Sequence, residues 1–372
     1  MPTRRSPRPA GRKVRYAVVG LGHIAQMAVL PAFAHAANSE LGAIVSSDAE
    51  KLRQLGDRYG VEVRGGYDDF ETCLEDVDAV YIALPNSMHA EFAIRAAAVG
   101  VHVLCEKPLA VTGEECAAIV EACREAGVQA MTAYRLHFER QTLWALDQVR
   151  AGRLGDLRYF TSAFSMQAKP GGIRTRPELG GGTLYDLGVY CINAARMFFG
   201  SEPLEVWATS VEGTDAGMPG IDATTSATLR FEGERLATFV TSFDAADVSS
   251  LRVVGTKGDL RMQPAYEYAE PLALELTVDG TTTKRRGRKG DQFAPELVYF
   301  SDCVLAERTP EPSAEEGAQD VRIVEALYES ARSGRRVPLQ VFAGDAEPSS
   351  QQAMFRPPVR KPSAVHSEPP HD

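Results

Sequence analysis

The chain has 372 residues, of which 44% are hydrophobic and 24% are charged, and its formal net charge is -10. These proportions are typical of globular proteins and exclude a largely disordered chain. No apolar run approaches the roughly 18 residues that a membrane span needs. The acidic balance argues against nucleic acid as a partner, and the length predicts two domains.

Residues 1–13 contain the basic side chains Arg4, Arg5, Arg8, Arg12 and Lys13. We expect a flexible basic tail rather than an export signal, because the apolar segment that such signals need does not follow. The cysteines lack the close spacing of zinc or redox sites, which predicts free thiols in a cytoplasmic protein. They are Cys73, Cys105, Cys116, Cys123, Cys191 and Cys303.

From residue 14 to residue 137, short apolar strands alternate with helical stretches, the pattern of a parallel sheet covered on both faces. Thr112 and Glu115 form a capping box at the start of one helix, and Gly127 follows its end. The predicted strands are 15–19, 41–46, 77–84, 101–105 and 129–132, and the predicted helices are 24–36, 49–59, 90–98 and 114–126.

A glycine motif follows the first strand, where residues 20–25 read Gly-Leu-Gly-His-Ile-Ala and open a helix. Glycines let the backbone turn tightly and approach a pyrophosphate at the positive end of that helix. Because strand, motif and helix are in register, residues 14–137 are predicted to be a dinucleotide-binding Rossmann domain. The candidate cofactor-binding residues of this loop are Gly20, Leu21, Gly22, His23 and Ile24.

The end of the second strand bears on the choice of cofactor. Ser46, Ser47 and Asp48 follow this strand, and Lys51 lies about one turn into the next helix. NAD sites usually place an acidic residue here, whereas the 2′-phosphate of NADP favours neutral donors and a cation. Ser46 and Lys51 therefore favour NADP, and Asp48 leaves NAD open. Alternatively, the residues from Ser46 to Asp48 only cap the helix.

Two further strand ends are expected to face the cofactor, because ligands of open α/β sheets lie at the carboxyl ends of strands. One of them carries His89, which is either a cofactor contact or a local hydrogen-bonding residue. The other carries Lys107, whose cation would stabilise a phenolate or alkoxide nearby. The cofactor-binding candidates at these two ends are Leu84, Pro85, Asn86, His89, Glu106 and Lys107.

Residues 138–342 have a different texture, with strands separated by short polar turns, which predicts mostly antiparallel pairing. The fold class expected for the whole chain is thus an α/β Rossmann domain plus an α+β domain with a large, open, mostly antiparallel sheet. Residues 343–372 are rich in proline, serine and charge, which predicts a disordered tail. The predicted strands of the second domain are 157–165, 205–211, 226–231, 236–242, 251–255 and 272–278, and its helices are 141–151, 183–199, 295–306 and 318–333.

A second motif, residues 180–190, reads Gly-Gly-Gly-Thr-Leu-Tyr-Asp-Leu-Gly-Val-Tyr. Thr183 is expected to cap a helix on which Asp186 and Tyr190 are four residues apart and share one face. With Glu106-Lys107-Pro108 and the glycine motif, this pattern resembles the glucose-fructose oxidoreductase / inositol dehydrogenase (Gfo/Idh/MocA) family over residues 14 to about 339. The glucose-fructose branch is the most similar, through residues 18–22, 84–96, 134–135 and 315–322.

The resemblance implies that Lys107 and Tyr190 serve the reaction, that Asp186 positions a sugar, and that the bond before Pro108 is cis. It also implies an open sheet used to form a homodimer or homotetramer, and a 2′-phosphate held by Ser46 and Lys51. Inositol dehydrogenases carry histidine where this chain has Tyr190, which disfavours that branch. The glucose-fructose enzyme has an export signal, which is not expected here. It also has a long N-terminal arm over its cofactor, which the short residues 1–13 would have to replace, so we do not expect permanent cofactor retention to follow from the resemblance.

The mechanism expected from these residues is hydride transfer between a nicotinamide and a sugar or polyol. Tyr190 is the candidate general acid and base, and because a free phenol titrates near pH 10 it needs help from the Lys107 cation. No metal is required, since the hydride chemistry belongs to the cofactor. The substrate-binding candidates are Lys107, Tyr134, Arg135, Asp186 and Tyr190. Alternatively, Tyr134 or Arg135 is part of the interface between the domains, and His137 is expected to be structural.

Two other functions fit the same sequence. One is an NADP-dependent D-xylose or dihydrodiol dehydrogenase whose cofactor dissociates in each cycle. The other is a catalytically silent NADP sensor or regulatory protein, because a fold does not determine a function. The joint presence of Lys107, Asp186 and Tyr190 favours an enzyme.

Overall fold

The computed structural model describes residues 11–213, 218–340 and 347–369. Its first sheet, within these ranges, has six parallel strands in the order β3-β2-β1-β4-β5-β6. The order reverses between β1 and β4, which opens a crevice at their carboxyl ends. The strands are β1 (Val14–Val19), β2 (Ser39–Val45), β3 (Val63–Gly65), β4 (Ala79–Ile82), β5 (His102–Glu106) and β6 (Ala130–Ala133).

Helices cover both faces of this sheet, as the sequence predicted. The capping box of Thr112 and Glu115 is present, and Gly127 ends that helix in the left-handed conformation. The helix predicted over 24–36 is present but irregular: it has a π-helical stretch, Ala25–Val29, and ends in a 3₁₀ turn, Phe33–His35. Pro31, which has no N–H to donate to the helix, lies between the two. The helices are α1 (Leu30–Ala32), α2 (Ala49–Tyr59), α3 (Phe70–Cys73), α4 (His89–Ala98) and α5 (Gly113–Ala126).

The second sheet has nine strands in the described ranges, in the order β14-β13-β12-β11-β7-β10-β9-β8-β15. The pair β7 and β10 is parallel, and the other recorded pairs of this sheet are antiparallel, which confirms the predicted fold class. The strands are β7 (Leu157–Gln167), β8 (Glu205–Glu212), β9 (Asp222–Arg230), β10 (Leu236–Ser242), β11 (Asp244–Gly255), β12 (Gly258–Met262), β13 (Ala273–Val278), β14 (Thr281–Arg286) and β15 (Val337–Pro338).

The helices of the second half join the two sheets. Leu297 and Phe300 of α8 lie in one buried cluster with Tyr16 and Tyr81 of the Rossmann sheet. A helix assigned to the second domain by its position in the sequence therefore completes the core of the first. These helices are α6 (Arg140–Arg150), α7 (Val189–Phe199), α8 (Ala294–Ala306) and α9 (Ala314–Ser333).

The C-terminal residues differ from the prediction of a disordered tail. In the described segment 347–369, Val365 is 4% exposed and packs in the Rossmann cluster that contains Ala25 and Val29. Residues 341–346 and 370–372, and residues 1–10 of the predicted basic tail, lie outside the described residues. Over the part of the chain that the structure describes, we find no helix with the length and apolarity of a bilayer span. All six cysteines are free and buried, as predicted.

A buried polar network holds the two domains together. The carboxylate of Asp320, on α9, accepts hydrogen bonds from Tyr134 (2.6 Å), Asn193 (3.0 Å) and Arg196 (2.7 Å). His137 lies beside this network, with Nδ1 2.7 Å from a carboxylate oxygen of Glu311 and Nε2 2.8 Å from the amide oxygen of Asn193. Burial alone would lower the pKa of His137, but the Glu311 carboxylate outweighs it and raises that pKa. The structural role expected for His137 fits these contacts.

The substitution His137→Gln tests this pair through the pH dependence of stability. Because the pKa of His137 is raised on folding, the stability that it contributes is present in full below its usual value of about 6.5. That contribution is lost as the pH rises through the raised value. We expect the variant to be less stable than the parent by about 1–3 kcal/mol at pH 6 and by less at pH 9, measured by urea unfolding. A stability difference that does not change between these pH values contradicts the prediction. His35→Gln is the control, because its ring is 22% exposed and water can replace its contact with Asp291.

Candidate active site

The glycine loop after β1 is shaped for the close approach of a ligand. Gly20 has a φ of +88°, and a Cβ there would lie 2.4 Å from the carbonyl oxygen of Ala83, so a larger residue cannot occupy this position. At Gly22, by contrast, a Cβ would meet no atom within 4 Å. The space over the loop is therefore open, as the binding of a dinucleotide pyrophosphate requires.

A cavity of about 620 Å³ lies between the glycine loop and the second domain. Its size and its mixture of apolar walls and a few polar groups are typical of small-molecule sites. It contains most of the predicted site residues from both halves of the chain. The predicted residues that line it are Gly22, His23, Ile24, Leu84, Pro85, Asn86, Glu106, Lys107, Arg135, Asp186 and Tyr190.

The predicted catalytic residues meet in this cavity. Lys107 follows the end of β5, and its ammonium group donates to Asp186 Oδ1 at 2.9 Å and to the Asp186 carbonyl oxygen at 2.8 Å. The same ammonium nitrogen lies 4.7 Å from the centre of the Tyr190 ring. Residues that are some 80 positions apart in the sequence are thus brought together on one wall.

The local helix geometry differs from the prediction in one respect. Thr183 does not cap a helix with its side chain, since it already has helical backbone angles and its hydroxyl donates to Asp222 at 2.5 Å. A π-helical turn, Leu184–Gly188, follows and leads into α7. Asp222 also accepts the backbone N–H of Thr183 at 3.0 Å, so this carboxylate takes the place of the predicted cap.

Asp186 is held by two cations, one of which the sequence did not reveal. Arg174, from the short turn Ile173–Thr175, donates to Asp186 Oδ2 at 2.5 Å, opposite Lys107. Burial would raise the pKa of Asp186, but the charges of Arg174 and Lys107 lower it, so the group is a carboxylate. Burial would likewise lower the pKa of Lys107, but Asp186 raises it, so the lysine stays charged. No spacing pattern distinguishes Arg174 from the neighbouring Arg176 in the sequence.

Aromatic rings and a second cation complete the wall around Tyr190. The guanidinium of Arg135 lies 5.2 Å from the centre of the Tyr190 ring and donates to the side-chain oxygen of Gln292 at 2.5 Å. Phe164 packs edge-on against Tyr190 at 5.7 Å between ring centres. Tyr190 is therefore in contact with two cations, Lys107 and Arg135, beside an apolar surface of the kind on which a sugar ring packs.

His89 and Tyr134 were candidates for cofactor and substrate contacts, and the structure corrects this by giving each of them the alternative structural role. Both ring nitrogens of His89 lie within 2.9 Å of backbone carbonyl oxygens, those of Pro108 and Leu84, and the ring is fully buried. It supports the two loops instead of contacting a ligand. The Tyr134 hydroxyl donates to Asp320, and the residue is 2% exposed, so it belongs to the domain interface and not to the cavity wall.

At the end of β2, Asp48 caps α2 by accepting the backbone N–H groups of Glu50 and Lys51, both at 3.0 Å. The Ser46 hydroxyl oxygen accepts the N–H of Asp48 at 3.2 Å. Asp48 therefore caps the helix, as the capping alternative expected, whereas the Ser46 hydroxyl contacts the cap residue itself. This cap uses the backbone N–H of Lys51, so a role for the Lys51 side chain in cofactor binding stays a prediction.

A crevice at the strand-order reversal, with a lysine, a carboxylate and a tyrosine beside it, is typical of oxidoreductases that use a nicotinamide nucleotide. Comparison with known families agrees. Residues 14–134 match the model described as "Oxidoreductase family, NAD-binding Rossmann fold", and residues 142–261 match the GFO/IDH/MocA C-terminal domain. The chain belongs to the GFO/IDH/MocA family, and it is an NAD(P)-dependent oxidoreductase that acts on CH–OH groups.

Among similar proteins, D-xylose 1-dehydrogenase (NADP(+)) 2 of Haloferax volcanii is 35% identical, with 87% of this chain and 99% of the relative covered. The crystal structure of the aldose-aldose oxidoreductase of Caulobacter crescentus has a TM-score of 0.85 and 35% identity, and the match covers 88% of this chain and 100% of that one. A 3-ketoreductase of Actinomadura kijaniata, solved with NADP and TDP-benzene, has a TM-score of 0.79 and 28% identity, and the match covers 86% of this chain and 98% of that one. The predicted family is confirmed, but these relatives do not single out its glucose-fructose branch.

Gly22→Ala tests whether the open loop is a nucleotide site. We expect the free energy of unfolding to change by less than about 1 kcal/mol, because the new methyl group meets no protein atom. We expect the dissociation constant for a nicotinamide dinucleotide, measured by calorimetry, to rise about tenfold or more, because the methyl group occupies the approach of the pyrophosphate.

Gly60→Ala is the matched control. Gly60 also lies in open space, at a φ of +65°, but at the far end of α2. We expect it to cost about 1 kcal/mol of stability and to leave nucleotide binding unchanged. Unchanged binding in Gly22→Ala contradicts the assignment of this loop.

Proposed function

We propose that this protein is an NADP-dependent oxidoreductase that transfers hydride between the nicotinamide and an aldose or a related sugar or polyol. The observation that carries the proposal is the meeting of Lys107, Asp186 and Tyr190 in one cavity beside the open glycine loop. When bound, the nicotinamide ring supplies the site at which hydride is accepted or released. The residues of this chain hold the sugar and move its proton.

Tyr190 is the proposed general acid and base. In the oxidative direction its deprotonated oxygen would take the proton of a sugar hydroxyl while hydride passes from the carbon that carries this hydroxyl to the nicotinamide, so that a carbonyl group forms. Lys107 and Arg135 place two positive charges next to the Tyr190 ring. Positive charge at this place favours the deprotonated tyrosine oxygen that accepts the sugar proton.

Asp186 is proposed to position Lys107 and the sugar. Its two carboxylate oxygens form salt bridges with different partners, one with Lys107 and the other with Arg174. The lysine is therefore directed toward the cavity without losing its charge. Arg174 itself lines the cavity and is 29% exposed in its side chain, which leaves it able to contact a hydroxyl group. The aromatic rings of Phe164 and Tyr266 provide an apolar surface for the C–H face of a sugar.

NADP is the proposed cofactor, with NAD as the second candidate. Ser46 follows β2 and Lys51 lies in the first turn of α2, where a 2′-phosphate would meet a hydroxyl and a cation. NADP also appears in the name of the D-xylose dehydrogenase of Haloferax volcanii, and the 3-ketoreductase was solved with NADP bound. Identification of any nucleotide released from the denatured protein, followed by a screen of aldoses with that nucleotide, tests cofactor and substrate together.

The second candidate is an NADP-dependent D-xylose dehydrogenase with a dissociable cofactor, which the D-xylose dehydrogenases of Haloferax volcanii and Haloarcula marismortui favour. Cofactor that survives desalting and is reduced by one aldose and reoxidised by another supports an aldose-aldose enzyme. Cofactor that is lost on desalting supports the dehydrogenase. A protein that binds NADP and is inert toward sugars and polyols supports the regulatory alternative.

Tyr190→Phe tests the general base. We expect kcat with an aldose to fall by about 10²–10⁴-fold, because the proton acceptor is removed, whereas the dissociation constant for NADP should stay within about twofold. Tyr185→Phe is the control, because its hydroxyl donates to the carbonyl oxygen of Val111 and lies outside the proposed machinery. Normal turnover by Tyr190→Phe removes the tyrosine from this role.

We further propose that the protein forms a homodimer, or a homotetramer built from such dimers, through the outer face of the second sheet. Large apolar side chains on the face opposite to the core remain 42–60% exposed: Tyr159, Trp207, Val211, Leu236 and Val240. Monomeric proteins seldom expose so many large apolar groups on one sheet face. A second copy of the same face would cover them symmetrically.

A double substitution of Trp207→Glu and Val240→Lys tests this interface. We expect the sedimentation coefficient to drop to that of a smaller assembly, because buried charges at the interface weaken association. Val99→Lys is the control, because Val99 is 45% exposed at the end of α4 in the Rossmann domain. An unchanged sedimentation coefficient in the double variant speaks against this face.

A further inference from the structure

The C-terminal strap, which we define as residues 363–368, is anchored next to the glycine loop. The Gln26 side chain is fully buried, and its amide nitrogen donates to the carbonyl oxygen of Val365 at 2.9 Å. The Val365 N–H donates back to the Gln26 amide oxygen at 2.8 Å. The same amide nitrogen donates to the carbonyl oxygen of Leu21, within the glycine loop, at 2.9 Å. One buried glutamine thus connects the strap to the loop.

The strap next reaches the end of β2. His366 has a φ of +42°, which turns the chain, and its Nδ1 lies 3.0 Å from Asp48 Oδ2. The other carboxylate oxygen of Asp48 accepts the N–H of Lys51. In addition, Arg58 of α2 donates to the carbonyl oxygen of Ser363 at 2.8 Å. The strap therefore lies beside the N-terminus of α2, where the proposed 2′-phosphate site is located.

The strap also contacts the second domain. Glu368 lies 3.4 Å from the ammonium group of Lys169, which follows β7. Lys169 begins the loop that carries Ile173 and Arg174 into the cavity wall. From Gln26 through Asp48 to Lys169, residues 365–368 thus span from one wall of the nucleotide crevice to the other.

We propose that the strap is part of the cofactor site and covers the adenosine end of NADP, with the imidazole of His366 beside the 2′-phosphate. This inference rests on the proposed NADP-dependent function. In a Rossmann domain, the adenosine ribose lies between the glycine loop and the end of the second strand, the two places that the strap joins. A bound nucleotide is therefore released only when the strap leaves Gln26 and Asp48. The strap slows dissociation without taking part in the chemistry.

Removal of residues 363–372 tests the proposal. We expect the rate of NADPH dissociation, measured by displacing the fluorescent nucleotide with excess NADP in a stopped-flow instrument, to rise about tenfold or more. A rate within twofold of the full chain overturns the proposal. So does tighter binding by the shortened chain, because the strap then obstructs the site instead of covering it.

Point variants separate the contacts from the folding of the segment. We expect His366→Ala to weaken binding of NADPH more than that of NADH, because only NADPH carries the 2′-phosphate. Lys361→Ala is the control, because it removes a charge from an exposed residue two positions before the strap. Equal losses for NADPH and NADH in His366→Ala overturn the role of the imidazole.

Binding of nucleotide by the full chain separates failure of the strap proposal from failure of the proposed function. If the full chain binds NADPH and oxidises a sugar while the shortened chain releases nucleotide at the same rate, only the strap proposal fails. If the full chain binds neither nucleotide, the proposed function fails and the strap proposal fails with it.

Discussion

The candidate active site depends on one buried carboxylate. Asp186 comes from the second domain and is bonded to Lys107, which comes from the Rossmann domain, and to Arg174. The side chains of Lys107 and Asp186 are only 11% and 15% exposed, so each charge has lost most of its water and is stable only while its partner is in place. The pair therefore forces the two domains into one relative position. The cavity, the direction of the lysine and the placement of Tyr190 all follow from that position.

Contacts outside the cavity also hold the two domains in this position. Asp320 of α9 gathers hydrogen bonds from Tyr134 in the first domain and from Asn193 and Arg196 on α7. Since α7 also carries Tyr190, this network positions the proposed general base through the helix on which it lies. The packing of α8 on the Rossmann sheet adds an apolar contact between the halves. A reaction that transfers a hydride and a proton to different acceptors needs such a rigid arrangement, because both must be within reach at once.

The positions of residues that follow a strand end were predicted correctly from the sequence, because these positions depend only on the residue's own strand or loop. Gly22, Asn86 and Lys107 follow strand ends, and the parallel sheet brings all strand ends to one edge. Side chains that depend on distant partners were harder to predict. His89 and Tyr134 point away from the cavity because Pro108 and Asp320 offer them hydrogen bonds, and these partners lie 19 and 186 residues away. Arg174 was missed because only the folded chain places it opposite Asp186.

The sequence by itself determined the alternation of strands and helices, the glycine loop, the ends of most elements and the family, because these depend on short-range periodicity, capping and local motifs. Only the tertiary structure decided which buried charges pair, that α8 completes the core of the first domain, and that Val365 packs beside the nucleotide loop. These features arise from contacts between residues far apart in the chain. Such contacts leave no local pattern, since they depend on how whole elements pack and on which polar groups must be satisfied once buried.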